Sequence, residues 1–395
     1  METATDVMII GGGVIGCAIA YYLSKEGVSV MVVERGEIGG QASGAAAGLL
    51  APLGPLSGPG TLADFLLAGF ALFPELVESL EAETGLKLDY RRTGALRIVR
   101  EHPKRVARLK KRWESWQALG LEMHWLSGEE ARQLEPQLSP EVCAAVYAPA
   151  EAQIRAPQLV RAFAQAAQGR GAVMRTHTEV VGVESQGASV TGVRTDGGDV
   201  LHCRSLVLAA GAWAACCGEW LGVGREAWAG ASRVPTIPGL STLPVSPLRG
   251  QLISLRQPSV QLQHIIFGEA TYLVPGREAV IVGATREEAD FQVAVTEEGI
   301  GWLQESAGRL VPRLAEGERI AAWAGLRPKT PDNQPILGAL PGWENVLIAV
   351  GHNSIGIMTG ALTGQVMAEL LITGQMPQVA RPFTLERFYP THSSN

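Results

Sequence analysis

Four consecutive apolar residues, Val7-Met8-Ile9-Ile10, lead without interruption into Gly11-Gly12-Gly13-Val14-Ile15-Gly16, and a second apolar run, Val30-Met31-Val32-Val33, follows a helical stretch. Unbroken apolarity over so few residues predicts parallel strands buried on both faces. Between them, Gly11, Gly13 and Gly16 supply a tight turn, close backbone approach to a pyrophosphate and tight helix-strand contact, and phosphate charge meets a helix N-terminus. The second strand ends in Glu34, where a carboxylate accepts from both ribose hydroxyls and repels a 2′-phosphate. Three spaced glycines are a weak signal in a chain with 47 of them. Their place between two apolar strands, with the acidic terminus, points to an adenine dinucleotide.

Further along, Leu62, Leu66, Phe70, Phe73, Val77 and Leu80 recur at helical spacing over 61–83, with Pro74 kinking or splitting the helix. Residues 86–100 change to a strand-like alternation. Residues 103–119 return to a helical pattern with a dense basic face, read as solvated. Pro157 opens a helix to about Gln168, followed by a strand over 172–176 and another, Leu201 to Leu208, that feeds Ala209-Ala210-Gly211-Ala212-Trp213. Small residues at that strand end either admit a ligand to the backbone or mark a crowded strand-helix junction. From about Pro244 to Ala322 strands dominate, broken by one helix over 296–310, and a last helix spans about 359–372.

These elements predict a mixed α/β (α+β) fold: a Rossmann-like nucleotide-binding domain, 1–85 with 150–225 and 325–390, and an inserted antiparallel-sheet domain, 86–149 with 226–324, that walls a substrate pocket. At 395 residues the chain exceeds the usual limit of one hydrophobic core. Its 46% apolar residues exclude disorder, and 33 basic against 39 acidic residues, a net charge of −6, imply no nucleic-acid surface. Five cysteines (Cys17, Cys143, Cys203, Cys216, Cys217) without metal-ligand or CxxC spacing, and an acidic start without a leader pattern, predict a cytoplasmic protein with reduced thiols and no metal. The uncharged stretch between Glu37 and Asp64 is broken by prolines and glycines, so it reads as a buried loop rather than a membrane span.

With both glycine-rich segments in place, the chain resembles the D-amino-acid oxidase family of flavoproteins, and within it the glycine-oxidase branch tied to thiamine synthesis. The resemblance spans nearly the whole chain. It rests on residues 10–16, Gly39-Gly40-Gln41-Ala42-Ser43-Gly44-Ala45-Ala46-Ala47-Gly48, Val207 to Trp213, Tyr272-Leu273-Val274-Pro275 and, most specifically, Trp323-Ala324-Gly325-Leu326-Arg327-Pro328. It implies FAD, with Glu34 beside Arg35 on the adenosine ribose, Val14, Ile15, Ala42 and Ser43 along the phosphates, Val180 near the adenine, and Ala47, Gly48 and Leu49 against the flavin ring. Gly351-His352-Asn353-Ser354-Ile355-Gly356-Ile357-Met358 resembles the second flavin loop. Some relatives attach flavin through a cysteine near this loop; here the last cysteine is Cys217, so FAD is expected to be noncovalent.

A pocket for an amino acid needs a bidentate, permanently charged donor for the carboxylate. The resemblance assigns this to Arg327, against the alternative of a structural ion pair, and assigns Tyr272 to the pocket, against that of a core aromatic. The expected reaction passes hydride from Cα of a neutral amine to FAD, which dioxygen reoxidises to hydrogen peroxide; the imine gives the 2-oxo acid (glyoxylate from glycine) and ammonia, or passes to a thiazole synthase. No general base is required, because orientation and charge complementarity supply the rate.

The chain departs from the family pattern at Ser354, where an arginine is usual. Arg286 stands where some relatives carry an apolar pocket residue; it either restores that charge or is neutralised by Glu287 and Glu288 at the surface. Competing readings are a sarcosine, D-proline or D-amino-acid dehydrogenase and a flavin subunit of a heteromeric amine oxidase. The family implies a homo-oligomer.

Overall fold

The structure, a computed structural model, describes residues 4–100, 102–223 and 242–389. The expected domain boundary at 225/226 and the residues 226–241 that open the second segment lie outside the described residues, as do residues 1–3 of the acidic start.

Two eight-stranded sheets organise the chain. The first runs Ile336–Ala339, Val346–Val350, Val200–Leu208, Thr5–Ile10, Val30–Val33, Val173–Arg175. Its central pairs are parallel, and Ile336–Ala339 is antiparallel at one edge. A hairpin, Val180–Gln186 with Ser189–Thr195, extends the opening half of Val200–Leu208. Both faces are covered, which explains the unbroken apolar runs: Val7 and Ile9 pack under the helices Val14–Lys25, Thr61–Ala71, Ala156–Gly169 and Gly356–Thr373, whereas Met8 and Ile10 join Leu206, Leu208 and Leu221 on the opposite face. The helix Gly356–Thr373 has the length and hydropathy of a membrane span, but 61% of it is buried and it packs along Val14–Lys25, so it is a core helix here.

The second sheet runs Glu318–Lys329, Ser246–Arg256, Val280–Gly283, Tyr272–Pro275, Ile265–Phe267, Ala95–Arg100, Val142–Ala148, His124–Ser127. It is antiparallel except where Ile265–Phe267 and Ala95–Arg100 pair in parallel. The helix Glu297–Leu310, capped by the Thr296 hydroxyl accepting from Gly299 N–H at 3.2 Å, covers one face.

Pro74 lies in the first turn of the helix Phe73–Thr84, so the pattern over 61–83 is split in two rather than kinked. The strand expected over 86–100 narrows to Ala95–Arg100. Positive φ at Asp89 and Gly94 breaks the extended backbone before it. The stretch between Glu37 and Asp64 is also more than a buried loop: it holds a short helix, Ala42–Ala45, and a two-residue strand, Leu49–Leu50, paired with Ala152–Gln153, and much of it is only half-buried because it lines a cavity.

Candidate functional site

Three strand ends meet at the first glycine turn. Gly11 N–H donates to the Val33 carbonyl and Ala209 N–H to that of Ile10, both at 2.9 Å, so the chain leaves three neighbouring strands at one level. A Cβ on Gly11, at φ +109°, would stand 2.9 Å from the Ala209 carbonyl carbon, and one on Gly16 would meet the Gly11 carbonyl oxygen. Glu34 closes this turn: its carboxylate accepts from Gly12 N–H at 2.8 Å and Gly36 N–H at 2.9 Å. Ser43 Oγ accepts from Val14 N–H at 3.0 Å, which brings the 39–48 segment onto the start of the first helix. Arg35 lies over the Trp213 ring, 3.9 Å from its centroid, and Val180 is buried where the strand Val180–Gln186 begins, two residues after Thr178 N–H donates to the Glu34 carbonyl.

A cavity of about 1000 Å³ lies between the two sheets. Its wall brings together Gly13, Val14, Ile15, Ala42, Ser43, Ala47, Gly48, Leu49, Gly211 and the segment from His352 to Met358 on one side, and Tyr272, Arg286 and Arg327 from the second sheet. Gly11, Gly16, Glu34, Arg35 and Val180 do not line it; they belong to the turn and strand ends just described. The volume and lining fit a flavin dinucleotide: a helix N-terminus with a bare glycine at Gly13, a slot of small residues from Ala45 to Gly48, and backbone from Gly351 onward facing the same space. Gly48 cannot carry a side chain, since its φ is +79° and a Cβ would stand 3.0 Å from the Ile154 carbonyl carbon. His352 is buried with Nε2 3.1 Å from Thr363 Oγ1, and burial pushes it down to about 3, so it is neutral.

Arg327 stands on the strand Glu318–Lys329, opposite Leu248, and Tyr272 opposite Gly283. Arg327 Nη1 donates to the Thr285 carbonyl at 3.1 Å. Among the described residues, no carboxylate lies within 4 Å of this guanidinium. Burial holds its affinity for the proton below the ordinary value; Tyr272 opposes that shift and Arg286 adds to it. Burial in turn raises the Tyr272 phenol, with Arg327 pulling it down. A half-buried guanidinium that faces a cavity without a carboxylate partner among the described residues offers its remaining N–H donors to an anion there.

Glu287 is turned to Arg249, whose Nε donates at 2.9 Å, and to Gln251; Glu288 pairs with Lys329 at 3.0 Å. Neither neutralises Arg286, which lines the cavity with no ion pair among the described residues. Ser354 lines it too but brings no charge.

Two residues essential to this arrangement escaped the sequence reading. A Cβ on Gly250 would fall 2.6 Å from Arg327 Cζ, and one on Gly283 would fall 2.5 Å from Tyr272 Cε2. Isolated glycines inside strand patterns were the available signal. The basic helix, Pro103–Gln117, is not simply solvated: Arg105, Arg108 and Arg112 line the cavity, because the helix packs on the second sheet beside residues 53–56. Beneath it, Arg97 and Glu151 form a buried two-bond pair at 2.6 and 2.8 Å.

The family profile described as "FAD dependent oxidoreductase" matches residues 6–370. The chain is 33% identical over 385 residues to the glycine oxidase of Geobacillus kaustophilus (strain HTA426), covering 97% of each chain. It is 35% identical over 399 residues to the bifunctional protein ThiO/ThiG of Synechocystis sp., covering 99% of this chain and 55% of that one. The crystal structure of glycine oxidase from Geobacillus kaustophilus superposes with a TM-score of 0.89 at 32% identity, over 97% of this chain and 99% of the other. A glycine-turn nucleotide site opening into an inter-sheet cavity, matched over nearly its whole length, means that this chain belongs to the FAD-dependent oxidoreductase family of the D-amino-acid oxidase type and is an enzyme that works with FAD.

Proposed function

We propose that the enzyme oxidises glycine, or a closely related small amine, with dioxygen and water to glyoxylate, ammonia and hydrogen peroxide. The observation that carries this reading is the half-buried Arg327 guanidinium, without a carboxylate among the described residues, facing a cavity shared with the flavin-fitting segments. FAD, once bound, would supply the two-electron chemistry, as hydride acceptor and as the source of electrons for dioxygen. Arg327 grips the substrate carboxylate through two parallel N–H donors, and Tyr272 beside it fixes the angle at which Cα is presented. No aspartate, glutamate or histidine is needed as a base, provided the substrate amine is neutral. The only carboxylate on the cavity wall among the described residues, Glu269, is engaged with Arg105 at 2.6 Å, and the neutral, buried His352 is turned to Thr363. Gly13, Val14, Ile15 and Ser43 would hold the phosphates, Glu34 the ribose, and the His352–Met358 backbone the pyrimidine side of the ring, without a covalent bond.

The domain division is part of this reading, with one refinement. The strand Glu318–Lys329 is hydrogen-bonded in the second sheet along its length, so Arg327 belongs with the substrate-side sheet although residue 325 opens the nucleotide-side segment. The likeness to a fused ThiO/ThiG protein supports delivery of the imine to a thiazole synthase, and a homo-oligomer acting in the cytoplasm completes the proposal; five unpaired cysteines suit a reducing compartment. The test is the purified chain under air with glycine, sarcosine, D-alanine and D-proline. Peroxide with glycine, lost in Arg327→Gln while bound flavin remains, is expected; dye reduction without peroxide would instead mark a dehydrogenase.

A further inference from the structure

Among the described residues, six arginines and a single carboxylate line the cavity, and three of the six arginines already have partners. Arg97 is matched by Glu151 and Arg105 by Glu269. Arg112 is spent on the carbonyl of Gly54 at 3.1 Å and on the face of Trp116, 4.5 Å from its centroid. Arg327 awaits the carboxylate of an amino acid. Arg286 and Arg108 are left without an ion pair among the described residues. Of these, Arg286 directly follows Thr285, whose carbonyl accepts from Arg327 Nη1 at 3.1 Å, so both side chains leave the same wall of the cavity, and its own acidic neighbours, Glu287 and Glu288, are committed to Arg249, Gln251 and Lys329.

Two guanidiniums facing one cavity repel, and a single carboxylate compensates only one of them. We propose that the second anchor, Arg286, selects amines bearing a second acid group, so that the best substrates of this enzyme are small diacids in which one carboxylate sits on Arg327 and the other on Arg286. This inference rests on the amine-oxidase reading above and deepens it. The preference is for N-carboxymethylglycine over N-ethylglycine, two secondary amines of similar size that differ in the charge at the far end. The exposed position of Arg286 suits an anchor at the rim, where the second acid keeps part of its hydration and the gain is that of a partly screened pair.

The experiment compares both substrates by kcat/KM, and two unreactive ligands, succinate and butyrate, by the change each causes in the visible spectrum of the bound flavin. A tenfold or greater preference for the dicarboxylate in both assays is expected. Arg286→Gln should reduce that preference at least tenfold, mostly through KM and Kd of the diacid, and Arg286→Lys should restore part of it. Equal affinities for succinate and butyrate would overturn the second-acid site even if glycine is oxidised. So would equal losses for both members of each pair in Arg286→Gln, which would put Arg286 on the same carboxylate as Arg327. Loss of the preference in Arg108→Gln but not in Arg286→Gln would overturn the assignment to Arg286. Flavin-loaded protein that binds succinate but oxidises no amine would instead refute the proposed function.

Discussion

Replacing Gly250 by alanine adds one methyl group to a strand whose neighbour carries Arg327. The added carbon would lie 2.6 Å from Cζ and 2.5 Å from Nη1. Ordinary carbon contacts begin near 3.4 Å, so the guanidinium must retreat by about 1 Å. The obstructing atoms are the far end of a flexible side chain, whereas the Gly250 backbone is fixed by the long pairing of Ser246–Arg256 with Glu318–Lys329. Arg327 therefore moves and the sheet does not. A misplacement of about 1 Å at a positioning residue costs on the order of 100-fold in rate, or about 2.7 kcal/mol of transition-state stabilisation. Gly250→Ala should thus fold, retain flavin and lose on the order of 100-fold in kcat/KM for glycine, as measured by peroxide release and by anaerobic flavin bleaching. Unchanged kinetics in a flavin-loaded variant would refute the reasoning, because Arg327 would then not be held against Gly250 during turnover.

Three further outcomes follow from the same geometry. Glu34→Gln keeps one acceptor oxygen where the carboxylate offers two to Gly12 and Gly36, so the turn loses a charged hydrogen bond of about 1.5–3 kcal/mol and FAD affinity should drop at least tenfold in a flavin-fluorescence titration; undiminished affinity would contradict it. Acid precipitation should leave all of the flavin in the supernatant, and colour remaining on the washed polypeptide would show a covalent bond. His352, pushed down to about 3 by burial against about 6.5 unfolded, contributes stability above pH 6.5 that is lost as pH falls towards 3, because the unfolded chain takes up the proton first. At pH 5 the loss is roughly 2 kcal/mol, and denaturant titrations at pH 7 and 5 should show His352→Asn to be less pH-sensitive than the parent.

The nucleotide half was legible because its signals are local. Gly11, Gly13, Gly16 and Glu34 lie within 24 residues, and the strands that flank them are buried on both faces, so apolar runs and glycine spacing determine the turn without knowledge of the rest of the fold. The helices over 156–169, 297–310 and 356–373 were legible for the same reason, through periodicity and caps. The segment 86–94 was not, since positive φ at Asp89 and Gly94 interrupts an alternating pattern that looks extended on paper.

What the sequence determined by itself was the chemistry available: a dinucleotide turn, an arginine in an apolar strand, a tyrosine opening another strand, and no cysteine downstream to tether a flavin. What only the tertiary structure decided was which charges remain uncompensated. Gly250 and Gly283 make room for Arg327 and Tyr272 through pairings across strands, Glu287 and Glu288 turn from Arg286 to Arg249 and Lys329, and a helix that reads as a solvated basic face turns three arginines into a cavity. Spacing along a chain encodes backbone geometry over a few turns, but electrostatic compensation depends on distances between segments up to 280 residues apart, such as the bond from Trp323 Nε1 to the Ala45 carbonyl across 278 positions, and those distances exist only once the two sheets have packed.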